Sequence, residues 1–112
     1  MRYAAVLLVT LGLASAGVAS ASSRVTDMDY LRANRCKGLA EGLGGADTAS
    51  LDAMIKAEGR SRADAVVQRA AEEVTRGKRE AAKADLKDRL SAELNGPCLA
   101  YMSGGKEMSS GH

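Results

Sequence analysis

Residues 61–97, SRADAVVQRAAEEVTRGKREAAKADLKDRLSAELNGP, decide the fold class. Ser61 followed three residues on by Asp64 has the form of a capping box, a hydroxyl and a carboxylate placed to satisfy orphan amides at a helix start. Val66, Val67, Ala70 and Val74 then recur at helical spacing, followed by Ala82, Leu86, Leu90 and Leu94. Gly96-Pro97 closes the run, because glycine can take the left-handed position after a helix and proline cannot continue one. A continuous helix over 61–95 would extend roughly 50 Å at 1.5 Å per residue. Gly77 is the one candidate break. A lone glycine costs only about 1 kcal/mol inside a helix, and Arg76-Gly77-Lys78 is a short gap for a hairpin. The expectation is one long, bent helix.

Upstream, Thr26 and Asp29 read as a helix start. Met28, Leu31, Cys36, Leu39 and Leu43 follow at helical spacing, and Gly44-Gly45 supplies the stop. Asp47 or Thr48 opens a shorter helix with Leu51, Met54 and Ile55 inward, ended by Gly59. No segment alternates as a strand would. The fold class expected is all-α, a small domain of three helices, or four if the run divides, with one long C-terminal helix and one disulfide staple. Its span is 22–102, followed by a Gly- and Ser-rich tail over 103–112 that reads as disordered.

Residues 1–21 read as a cleaved signal peptide. Arg2 is the positive n-region, Ala4–Leu13 the apolar core, and Ala19-Ser20-Ala21 offers small side chains to a peptidase. Cleavage after Ala21 is the first choice and after Ala19 the second. The apolar stretch is shorter than the ~20 residues a spanning helix wants, so an uncleaved anchor is the weaker reading. The localisation that follows is periplasmic or secreted, with no stable membrane insertion once the leader is gone.

Export changes the meaning of Cys36 and Cys98. In an oxidising compartment two cysteines have one intramolecular pairing. The loop closed, about 60 residues, is worth roughly 4 kcal/mol by chain entropy. Such a staple suits a chain this poor in large apolar residues. The mature part has no Phe or Trp and only Tyr30 and Tyr101 as aromatics, and its share of Leu, Ile and Val falls below the roughly 20% at which disorder competes. Free thiols and an intermolecular bridge are alternatives. A redox couple is disfavoured because no Cys-x-x-Cys lowers a thiol pKa.

Sixteen basic residues less Arg2 leave an excess of one over the fourteen acidic ones. This balance gives little steering toward nucleic acid, and no aromatics interleave the charges to stack on bases. Glu72–Arg76, Arg76–Glu80, Arg69–Glu73 and Asp85–Arg89 stand four apart, the spacing of a solvated, salt-laced helix face. The single histidine, His112, ends the sequence, so no nucleophilic triad can be assembled and an enzyme is not expected. Met102, Met108 and His112 carry soft ligand atoms suited to Cu(I), with nothing between them to fix a geometry. No cofactor is expected, and copper binding stays a minor alternative.

A leader followed by a small helical domain with one long-range disulfide resembles the layout of the periplasmic acid-stress chaperones of the HdeA type. The cysteines here stand farther apart, and no motif is shared that would carry functional residues across. The expectation is an exported, non-enzymatic helical protein that binds a protein partner, a second copy being the simplest one. The alternative is a chaperone that loosens as paired carboxylates lose charge in acid. An enzyme inhibitor is a third class, with no feature of its own to point to.

Overall fold

The computed structural model describes residues 25–104. Five α-helices follow one another: α1 Asp27–Leu43, α2 Ala49–Gly59, α3 Asp64–Ala81, α4 Lys87–Leu94 and α5 Leu99–Met102. A 3-10 turn, Ala84–Leu86, leads into α4, and no strand occurs among the described residues. The domain is all-α and carries the Cys36–Cys98 disulfide, as expected. The leader over 1–21, its cleavage points, and most of the tail lie outside the described residues. Of the tail, Ser103 and Gly104 form a turn closed by the Ser103 hydroxyl donating to the Ala100 carbonyl.

Helix α1 starts with a reciprocal capping box. The Asp29 amide donates to the Thr26 hydroxyl at 3.0 Å, and the Thr26 amide donates to the Asp29 carboxylate at 3.1 Å. It stops at Gly44, whose φ of 79° lies in the left-handed region that favours glycine. The box expected at Ser61 does not form. Ala63 is the N-cap of α3 and makes no side-chain cap, while the Ser61 hydroxyl donates back to the Glu58 carbonyl and finishes α2. The reason lies next door. Arg62 reaches Asp27, Glu58 and the Val25 carbonyl and lies over the Tyr30 ring at 5.4 Å, which fixes the connection as a turn.

Helices α1 and α3 run side by side in the same direction: Gly38 meets Val74, and further along Gly42 meets Lys78 and Ala81. Gly77 is no break. It is buried in the middle of α3, where a Cβ would lie 2.9 Å from the Arg35 carbonyl oxygen and 3.0 Å from the Leu39 nitrogen. On α3 only Ala70, Gly77 and Ala81 are buried, so this helix docks by letting two backbones approach rather than by inserting large side chains. Val67 is exposed, and Val66 and Val74 are half-buried.

The large core residues come from the other elements. Leu39 of α1, Leu51 of α2, Leu90 of α4 and Cys98 are fully buried, with Ala33, Cys36, Met54, Ala81 and Tyr101 around them. Leu43, Ile55, Leu86, Leu94 and Met102 pack on this cluster.

The run from 61 to 95 is therefore not one helix. It parts at Ala82–Lys83, where Lys83 turns extended (φ −86°, ψ 116°) before the 3-10 turn. No glycine or proline marks the place. A helix continued straight would carry Leu90 and Cys98 past the core. Turning back buries Leu90 completely, which stabilises by about 1.5–3 kcal/mol, and brings Cys98 to Cys36. The same turn leaves Ala82 exposed and Ala81 inward, the reverse of the sequence expectation.

Candidate binding surface around Arg32 and Arg35

One flank of α1 gathers Met28, Leu31, Arg32, Arg35 and Cys36, spaced by three and four so that their side chains stand in one band. Arg35 is its hub. Its Nε donates to Glu93 at 2.7 Å, and its Nη2 donates to Glu93 and to Glu80, each at 3.0 Å. One guanidinium thus joins α1 to α3 and α4, and the bidentate fork sets the orientation of α4. The hydrogen bond from Arg35, aided by its charge and working against burial, holds the Glu80 carboxyl below the usual range. The same contacts, Glu93 first, keep Arg35 firmly protonated.

At the next turn of α1, Asp29 does two jobs. Besides capping its helix it accepts the Tyr101 hydroxyl proton at 3.2 Å, which ties α5 to the start of α1. Burial raises the Asp29 pKa, and the hydrogen bonds from Thr26 and Tyr101 outweigh it, so the carboxyl titrates below its ordinary value. Burial first of all pushes the Tyr101 phenol up, while the nearby Arg32 pulls it down. Arg32 is exposed and forms no ion pair within 4 Å among the described residues.

Two grooves open on either side of this arginine pair. The first, about 290 Å³, is lined by Arg32, Arg35, Cys36, Glu93, Pro97, Cys98 and Tyr101. Its surface is predominantly apolar. The second, about 310 Å³, runs between α1 and α3 and is lined by Met28, Leu31, Arg32, Arg35, Arg69 and Glu73. Arg32 and Arg35 line both grooves. Met28 is 55% exposed, the highest value among the large apolar residues of the domain.

The other charge clusters are bracing. Lys37 bridges α1 to α2 through Asp52 and pairs with Glu41, and Lys78 of α3 meets the same Glu41 at 3.1 Å. The hydrogen bond from Lys37 leads the causes that lower the Glu41 pKa.

The structure brings Cys36 and Cys98 together, with Sγ–Sγ 2.01 Å and Cα–Cα 5.8 Å. It does not test the methionine–histidine trio, since Met108 and His112 lie outside the described residues; Met102 packs against the core. Among the described residues no three His, Cys, Asp or Glu side chains converge as metal ligands, and no helix is long and apolar enough to cross a membrane.

Of the expected ion pairs on the charged run, Arg69–Glu73 forms at 3.5 Å. Arg76 turns to Glu73 instead of Glu72 or Glu80, and Asp85–Arg89 does not close within 4 Å. Glu80 is drawn inward to Arg35, a partner 45 residues away. Sequence spacing had reserved Glu80 for Arg76 and gave no sign of Arg32 or Arg35. Only the scarcity of aromatics singled out Tyr101.

No protein-family model, curated protein or solved structure matches this chain.

Proposed function

We propose that this is an exported, disulfide-stapled helical protein that acts by binding another protein chain and not by catalysis. The observation that carries the reading is the groove between α1 and α3. It places exposed Met28 and half-buried Leu31 between Arg32, Arg69 and Glu73. An apolar strip flanked by arginine has the anatomy of an interface centre, where large flexible apolar side chains and Arg contribute most. Methionine suits this role because its unbranched thioether adapts to a partner's shape. The leader and the disulfide support an oxidising, extracytoplasmic setting.

A second copy of the chain is the simplest partner. Light scattering of the oxidised protein over a wide concentration range tests it, with Met28→Asp as the comparison. Self-association that Met28→Asp abolishes supports a homodimer through this groove. If the protein stays monomeric, affinity capture from exported proteins with the same two forms decides between a different partner and none. Capture that is insensitive to Met28→Asp removes the groove from the proposal.

A second reading, an acid-responsive chaperone, is favoured by one observation: the Glu80 carboxylate that ties α3 to α1 through Arg35 is held ionised by that contact. Protonation would loosen the junction. Client-aggregation suppression and dye binding in acid but not at neutral pH are the results expected of it. A protein that stays tight and inactive in acid excludes it.

A further inference from the structure

We infer that the groove beside the disulfide is a binding site for a small monocarboxylate with a compact apolar body. The proposal goes beyond the protein-binding reading: it uses the Tyr101 and Cys98 side of the arginine pair, with Arg32 bordering both grooves, and Met28 takes no part in it.

The shape sets the size of the ligand. A groove of about 290 Å³ is at the lower end of the range that takes small molecules, room for one ring or a short aliphatic chain and its head group. Pro97 and the little of Tyr101 that is exposed, over the buried Cys36–Cys98 bridge, offer that body an apolar bed. Cys98 is fully buried and Tyr101 nearly so, which holds this bed rigid.

The charge of the ligand follows from which groups are already satisfied. Glu93 is committed to both Nε and Nη2 of Arg35, and Arg35 reaches Glu80 as well, so this cluster offers no vacant cation. Asp29 is taken by the Thr26 amide and the Tyr101 hydroxyl. Arg32 is the charged group lining the groove with no ion-pair partner among the described residues. It lines the groove together with Tyr101. A guanidinium grips a carboxylate with two parallel N–H donors, a geometry that an alcohol cannot match. An ammonium head group would face Arg32, and the three nearby carboxylates, Glu80, Glu93 and Asp29, already accept hydrogen bonds from Arg35, the Thr26 amide and the Tyr101 hydroxyl.

The test uses the oxidised full chain and three matched probes, phenylpropanoate, phenylpropanol and phenylpropylamine, followed by NMR shifts of Tyr101 and its neighbours. The expected result is saturable binding of the acid, about tenfold tighter than the alcohol and the amine, consistent with one charge-assisted contact. Arg32→Gln is expected to erase that preference and Arg32→Lys to retain part of it. Neither should change the melting temperature, since Arg32 is exposed and carries no ion pair. Equal responses to the three probes, no saturation at Tyr101, or a preference that survives Arg32→Gln overturns the proposal. A short peptide ending in a free Phe carboxylate that binds tighter than phenylpropanoate overturns the assignment to a free small acid.

Discussion

Gly77 of α3 lies against the backbone of Gly38 on α1, so close that a Cβ on Gly77 would stand 3.2 Å from the Gly38 carbonyl carbon. Each glycine lets the backbone of the opposite helix come close, Gly77 that of α1 and Gly38 that of α3 at Val74. Helix propensity alone promises that Gly77→Ala stabilises by about 1 kcal/mol. The contact predicts the opposite sign, a loss of about 1–3 kcal/mol from overpacking against backbone that cannot rotate away. Gly38→Ala should cost at least as much, since its Cβ would enter the Val74 carbonyl. Urea denaturation of both variants reads the sign directly, and a stabilised Gly77→Ala would contradict the close approach.

The disulfide spans 62 residues and anchors the last short helix to the first. Reducing it, or replacing Cys36 and Cys98 by Ala, is expected to lower the unfolding free energy by roughly 4 kcal/mol. In a domain whose α3 contributes only small buried residues, that is a large part of the total. Denaturation midpoints with and without reductant measure the loss.

Acid should weaken the fold, and the sign follows from the carboxylates. Glu80, Glu41 and Asp29 all titrate below their ordinary values in the folded state. Their contribution is present above the unfolded value of 4.5 for Glu or 3.8 for Asp and is lost as pH falls through the lower folded one. Melting temperatures should therefore be level near neutrality and decline below about pH 4.5.

Replacing Arg35 by Met should destabilise the protein at neutral pH by about 1–2 kcal/mol, between the exposed and the buried limits for a broken ion pair. It leaves Glu80 and Glu93 facing each other without a cation. Acid should then relieve part of the damage, and the decline of melting temperature with acid should be shallower than in the parent. A variant with the parent's acid profile would show that Arg35 does not hold Glu80 ionised.

The two candidate caps separate in the same way. Thr26→Ala removes an acceptor that the Asp29 amide uses and should cost about 1 kcal/mol. Ser61→Ala touches only an exposed bond to the end of α2 and should stay within about 0.5 kcal/mol. Thermal melts of the two variants rank them.

The start of α1 was legible because its determinants are local. Thr26, Asp29 and Gly44 act within a few residues of themselves, as do the apolar positions that open α2. Ser61 looked equally local and misled, because Arg62 beside it answers to Asp27 on another helix. The binding surface was hidden for the same reason: Arg35 meets Glu80 and Glu93 across 45 and 58 residues, a distance that no periodicity encodes.

Sequence by itself determined that the chain is helical, where the first two helices begin and end, and that its two cysteines suffice for a staple. Those follow from side-chain periodicity and cap chemistry, which are short-range. Only the tertiary structure decided that the long run parts at Ala82–Lys83 and that Gly77 is a contact point instead of a hinge. Both depend on what lies across the core. Burying Leu90 and Cys98 outweighs the helical bonds given up at a turn that has no glycine or proline. Letting α1 and α3 touch backbone to backbone uses the one side chain a glycine lacks.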